Sequence, residues 1–166
     1  YIHQYHFAGK YLDRREAIDF CGRKLDDPKA VELIKKALKD PYFGLRNLAL
    51  GKVDIKKEAL KTAFESSIAD IARNDPKPTV RGRAIGILGN YKKAEYKTIF
   101  EKATSDSSYT VSGFGLEALS KIDSVGALNK AVSLSKQPSK GKLDESINSI
   151  LIASGNEGVY DRIATK

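Results

Sequence analysis

Three side chains stand out as capable of metal or nucleophile chemistry: His3, His6 and the single cysteine, Cys21. Two histidines three apart can share a metal when they lie on one helical face and other ligands complete the shell. Here Ile2, Gln4 and His6 alternate with His3, Tyr5 and Phe7, which predicts a short extended segment, and no cysteine or carboxylate nearby completes a set. The expectation is a strand or domain junction. Cys21 falls on one stripe with Ala17 and Ile18. A reactive thiolate needs an accessible, electropositive setting, so this cysteine reads as packing, and alone it forms no internal disulfide. Both histidines lie at the extreme N-terminus, so no Ser–His–Asp order can be argued. Gly82 to Gly89 has the glycine density of a phosphate loop but neither Gly-x-Gly-x-x-Gly nor Gly-Lys-Ser/Thr, and it keeps a helical period. No catalytic, cofactor-binding or metal-ligating residue is assigned.

The charged residues that recur are aspartates and arginines. Asp40-Pro41 matches Asp75-Pro76, Leu45-Arg46 matches Val80-Arg81, and Ala49-Leu50 matches Ala84-Ile85. Asp106 continues the series with Val111, Ser112, Gly115, Leu116 and Leu119; Gln137-Pro138 begins a weaker copy with Ser146, Ile147 and Ile150. Upstream, Arg14 and Ala17-Ile18 fit a copy with a degenerate start. The intervals between copies are 35, 31 and 31 residues. A repeat of this length that is helical throughout predicts an α-solenoid.

The elements that carry these residues follow from apolar period and breakers. Helices are expected over Asp13–Lys24, from Asp27-Pro28 through Leu38, from Asp40-Pro41 to near Gly51, and over Glu58–Arg73. The stretch Asp75–Gly89 reads as a helix capped by Asp75, with Pro76 first and Gly89 closing it in a left-handed conformation. Helices over Lys93–Thr104 and Ser107–Lys121, a helix carrying Val125, Leu128 and Val132 that Asp123-Ser124 can cap, and a helix over Leu143–Ala153 complete the series. Gln137–Gly141 is a polar turn, and Val159–Ile163 adds a helical turn. Gly113 and Gly115 each cost about 1 kcal/mol against alanine in a helix, a cost suited to a close helix approach.

An aspartate, a proline, an aliphatic–arginine pair and a small residue three on from the arginine resemble HEAT repeats. The resemblance implies that Arg46 and Arg81 pair with the turn acids Asp40, Asp75 and Asp106 in a structural ladder. The fold expected is all-α: a HEAT-like α-α superhelix of four to five helix pairs after a short extended N-terminal segment. Residues 1–10 would be a junction from a preceding domain, 11–155 the solenoid, and 156–166 a C-terminal tail with a short helix.

Composition narrows the function classes. The 166 residues are 41% hydrophobic, which suits a chain with a core. No apolar run approaches the roughly 18 residues of a membrane helix. The net charge of +8 is spread as +4 over residues 1–60 and +2 over each of 61–120 and 121–166. A nucleic-acid surface more often clusters its charge in a stripe. With no methionine in the chain, an origin inside a longer protein is expected, so a missing targeting segment carries no weight.

A second resemblance lies at the start. Gln4-Tyr5-His6-Phe7-Ala8, then Tyr11-Leu12-Asp13-Arg14-Arg15-Glu16-Ala17, and later Asp40-Pro-Tyr-Phe-Gly-Leu-Arg46, resemble the C-terminal helical domain of bacterial M1-family zinc aminopeptidases. That resemblance implies a non-catalytic domain that braces or roofs a catalytic region elsewhere in the parent, where the zinc would sit. The family's His-Glu-x-x-His and Gly-x-Met-Glu-Asn are not in this sequence, so no cofactor is expected here. The partners it implies are the rest of the parent chain and a protein or peptide on the solenoid's concave face, with no membrane. The rival readings are a DNA-cradling HEAT domain like the alkylpurine glycosylases, which use tryptophan where this chain has none, and a stand-alone protein-binding scaffold.

Overall fold

The computed structural model describes His3, Tyr5 and residues 9–155. Among these the chain is helical throughout, with no strand. The helices are α1 (Tyr11–Cys21), α2 (Pro28–Ala37), α3 (Phe43–Leu50), α4 (Glu58–Asn74) and α5 (Pro78–Gly89); a 3-10 turn (Ala94–Tyr96) then leads into α6 (Lys97–Ala103), and α7 (Tyr109–Ser120), α8 (Ser124–Ser135) and α9 (Gly141–Ala153) follow. His3 and Tyr5 have helical backbone, so at these two positions the extended segment does not form. Alternation over so few residues has little power to separate a strand from a helical turn, and here only Tyr5 of the pair is buried while His3 is exposed. The rest of the expected junction, His6 included, and the tail at 156–166 with its helical turn lie outside the described residues.

The chain divides into two compact units, Tyr1–Ile71 and Ala72–Lys166. In the first, α1, α2 and α3 pack on one another. Their periods supply the core: Ala17, Ile18 and Cys21 from α1, Leu33, Ile34 and Ala37 from α2, Leu45, Ala49 and Leu50 from α3. Each fully buried leucine or isoleucine contributes about 1.5–3 kcal/mol over an exposed one. Helix α4 buries Leu60, Phe64, Ile68 and Ile71 along one side.

In the second unit α7 is the hub, packing against α5, α6, α8 and α9, while α8 also packs on α9. A helix enclosed on several sides has no polar face to spare, and α7 buries Val111, Ser112, Gly113, Gly115, Leu116, Ala118 and Leu119. Small residues admit its neighbours. A side-chain carbon on Gly113 would lie 2.5 Å from the Lys142 carbonyl of α9, and one on Gly115 2.6 Å from Cβ of Ala103 in α6.

Two expected details of α5 differ in the structure. The helix starts at Pro78, not Pro76, because the Asp75 carboxylate accepts from the Lys77 N–H at 2.9 Å and closes a turn ahead of the helix. The sequence Asp-Pro-Lys-Pro offers two prolines for the first helical position, and this turn assigns that place to the second. Nor does Gly89 adopt a left-handed cap. It lies within α5, Asn90 follows with φ −76°, and the left-handed residue is Lys92 at φ 53°. Gly89 is small because a side-chain carbon there would stand 2.8 Å from Cβ of Ala118.

Gly113→Ala therefore destabilises the fold by about 1–3 kcal/mol, the usual cost of overpacking, because the clash is with backbone. Gly9→Ala, with nothing within 4 Å of the added carbon, is the control. Thermal denaturation of the two variants checks this: a lowered midpoint is expected for the first and an unchanged one for the second.

Candidate functional site

The residues that recur in the sequence occupy the turns that open α3 in the first unit and α5 and α7 in the second. Each turn is built alike. Asp40 Oδ1 accepts from the N–H of Tyr42 at 2.9 Å, Asp75 Oδ1 from that of Lys77 at 2.9 Å, and Asp106 Oδ1 from that of Ser108 at 2.8 Å. A carboxylate bonding two residues ahead holds a turn and satisfies an N–H that the coming helix leaves over. The arginine six residues on reaches back to the same turn. Arg46 Nη1 donates to the Asp40 carbonyl at 2.8 Å and the Pro41 carbonyl at 3.1 Å, and Arg81 Nη1 donates to the Asp75 carbonyl at 2.8 Å.

The second carboxylate oxygen reaches further along the chain. Arg81 Nη2 donates to Asp106 Oδ2 at 2.8 Å, joining the turn before α5 to the turn before α7. Arg14 does the same two repeats earlier in the sequence: its Nε lies 2.9 Å from Asp40 Oδ2 and its Nη2 3.4 Å from Asp40 Oδ1. Asp40 and Asp75 are buried, with 3% and 7% of their surface accessible. Carboxylates so enclosed demand donors, and arginine supplies them in a planar fork. Tyr5 adds a further one, donating to Asp40 Oδ2 at 2.8 Å.

Arg14 and Tyr5 are absent from the residues that sequence reasoning grouped as the ladder. For Arg14 the signal was present: Ala17 stands three residues on, as Ala49 does from Arg46 and Ala84 from Arg81. Tyr5 carried no such signal, since it lies 35 residues from its acceptor and outside the repeat. The linkage also stops where the sequence changes. Ser112 occupies the arginine's place in α7, and its hydroxyl donates locally to the Thr104 carbonyl at 2.8 Å. The following turn has Gln137-Pro138 in place of aspartate and proline.

The other candidates take simple places. Cys21 is buried in α1, where desolvation pushes its thiol pKa up and the nearby Asp27 carboxylate adds to the shift. His3 is exposed. Gly82 and Gly86 lie within α5 and face the ring of Phe114, which sits where their side chains would begin. Among the described residues no three His, Cys, Asp or Glu side chains gather as a metal site, and no helix is long and apolar enough to cross a membrane. Comparison with models of known families and with curated proteins gives no match.

Removing Arg81 leaves the Asp75 carbonyl without this donor and Asp106 with Oδ2 open, while Oδ1 keeps its bond from Ser108. Arg81→Ala is expected to cost about 1–3 kcal/mol, the penalty for unsatisfied buried acceptors, and Arg81→Lys to recover only part, because an ammonium lacks the fork. Urea denaturation checks the order wild type, lysine, alanine; equal midpoints would contradict it.

Tyr5 gives a pH signature. Burial first, then the hydrogen bond to Asp40, hold its phenol pKa well above the ordinary value. The neutral phenol is thus favoured in the fold, so its stabilisation is complete below the unfolded pKa of about 10 and is lost as pH rises beyond it. Tyr5→Phe is expected to be less stable than wild type at neutral pH and to lose less stability on going to alkaline pH. Parallel denaturation curves across that range check the difference in slope.

Proposed function

We propose that this chain is a HEAT-like α-solenoid module that supports and covers the catalytic region of an M1-type zinc aminopeptidase, acting through contact and not through bond chemistry. One observation carries the reading. The two stretches that resemble that domain, Tyr11–Ala17 and Asp40–Arg46, lie far apart in sequence and touch at two points. Arg14 of the first forms an ion pair with Asp40 of the second, and the ring of Tyr11 stands edge-on to that of Tyr42 at 5.2 Å between centroids.

The contact leaves an aromatic surface. Tyr11, Tyr42 and Phe43 are 42%, 44% and 37% exposed, and Leu12 beside them is 67% exposed. Tyr42 packs against Phe43 at 5.1 Å. Grouped apolar rings at the surface favour a covering partner. A domain joined ahead of residue 1 would be tethered within eleven residues of this patch, which makes it the favoured occupant. The repeating turns of α3, α5 and α7 support the solenoid part of the reading.

The test is the parent gene and its product. The reading frame ahead of Tyr1 is expected to encode His-Glu-x-x-His followed by a downstream glutamate, and the full product to release N-terminal amino acids in a zinc-dependent way. In that product Tyr42→Asp should lower the thermal midpoint and leave kcat per folded molecule unchanged. A parent with no zinc-peptidase motif, or a Tyr42→Asp protein as stable as wild type, overturns the reading.

A further inference from the structure

The last helix pair among the described residues, α8 and α9, leaves a groove of about 450 Å³ between the start of α8 and the end of α9. Val125 and Leu128 line it from α8, and Ile150 and Ala153 from α9; the rest of the lining is serine, and no charged side chain takes part. The apolar surface is accessible: Val125 is 69% exposed, Ala153 is exposed, and Leu128 and Ile150 are half-buried. Two of the serines are satisfied within their own helices. Ser120 donates to the Glu117 carbonyl at 2.8 Å and Ser154 to the Leu151 carbonyl at 2.7 Å. A stack of helix pairs bares at its end the face that a next pair would cover.

The chain leaves α9 at the groove itself. Ser154 belongs to the lining, and Gly155 after it has φ 70°, with its N–H donating to the Ile152 carbonyl at 3.0 Å. A left-handed glycine just past a helix ends it and turns the chain aside. The sequence then runs Asn156-Glu157-Gly158 and Val159-Tyr160-Asp161-Arg162-Ile163. At helical spacing Val159, Tyr160 and Ile163 share one face, and Asp161 falls opposite. Three connecting residues span at most about 10 Å and match the short links between antiparallel helices.

We propose that residues 156–166 fold back over this groove and seat Val159, Tyr160 and Ile163 on Val125, Leu128 and Ile150. A lining without charge returns nothing to an ionic side chain and favours an apolar face. Its size favours a tethered one. A separate protein needs roughly 20–30 residues a side for a stable interface, and the groove offers eight. A segment joined through three residues meets the groove at an effective concentration in the millimolar range, where so small a contact suffices. The inference concerns the second unit alone and does not depend on the proposed parent enzyme.

The experiment is NMR on the 166-residue chain with labelled valine, leucine and isoleucine methyls. Nuclear Overhauser cross-peaks are expected from the Tyr160 ring to the methyls of Val125, Leu128 and Ile150. Deleting residues 156–166 should shift those methyl signals and leave those of the buried Leu116 and Ile147 in place. Ile163→Asp should move the groove signals toward their positions in the truncated chain, and Asp161→Asn should not. The proposal is overturned if the cross-peaks are absent, if truncation leaves the groove signals unmoved, or if the two substitutions act alike. It is overturned too if the cross-peaks persist in an isotope-filtered spectrum of mixed labelled and unlabelled chains, which would seat the tail of one copy on another.

Discussion

A carboxylate has two oxygens, and at Asp40 and Asp106 this protein divides them. Oδ1 accepts from the N–H two residues ahead and fixes the local turn; Oδ2 accepts from an arginine 26 or 25 residues upstream, Arg14 in one case and Arg81 in the other. One side chain therefore decides both how the chain bends and which earlier segment lies beside the bend. Neither bond alone would specify that. The local turn could form in an isolated peptide, and a lone arginine pair at a surface is worth little. Joined on the Asp40 carboxylate, with the Asp40 and Pro41 carbonyls taken up by Arg46, they make a polar cluster whose members are satisfied together.

The apolar packing follows from that placement. With turns held at the start of α5 and α7, the two helices run side by side, and contact distance becomes the constraint. Gly89 against Ala118, Gly113 against the backbone of α9 and Gly115 against Ala103 are the outcome. Glycine is a poor helix former, so its presence in α7 is a packing requirement that overrides local preference. Lys142 joins the same region from α9: it pairs with Glu117 at 2.7 Å and lies over the ring of Phe114. The Glu117 carboxyl is subject first to desolvation, which raises its pKa, and then to Lys142 and Lys121, which outweigh that and hold it below the ordinary range.

Much of the architecture was legible in the residues. Helix after helix carries a clear apolar period, and the aspartate–arginine spacing marks the turns in the sequence itself. What was not legible depended on space. Two prolines in Asp75–Pro78 left the helix start open, and only the hydrogen bond to Lys77 decides it. Gly89 at the end of a helical run has the form of a left-handed cap, and nothing local says that Ala118 stands opposite. Tyr5 sits in a segment too short for periodicity to classify, yet it completes the shell of Asp40 from 35 residues away.

The offset between arginine and aspartate has a bearing on how such a chain can change length. Each link joins one repeat's arginine to the next repeat's aspartate, as with Arg81 and Asp106. Adding or removing one whole repeat supplies or withdraws one charge of each sign and leaves every remaining link with two ends. A gain or loss of part of a repeat leaves one partner of a half-buried pair without its counterpart. At Ser112 the rule lapses, because a hydroxyl bonded within its own segment requires nothing from the next turn. Upstream of that serine the repeat is thus the natural unit of insertion and deletion. Downstream the turn before α8 is held by a different pair: Asp123 accepts from the Gly126 N–H at 2.8 Å and pairs with Lys97 at 2.7 Å, so there the link runs from a lysine and not from a repeat arginine.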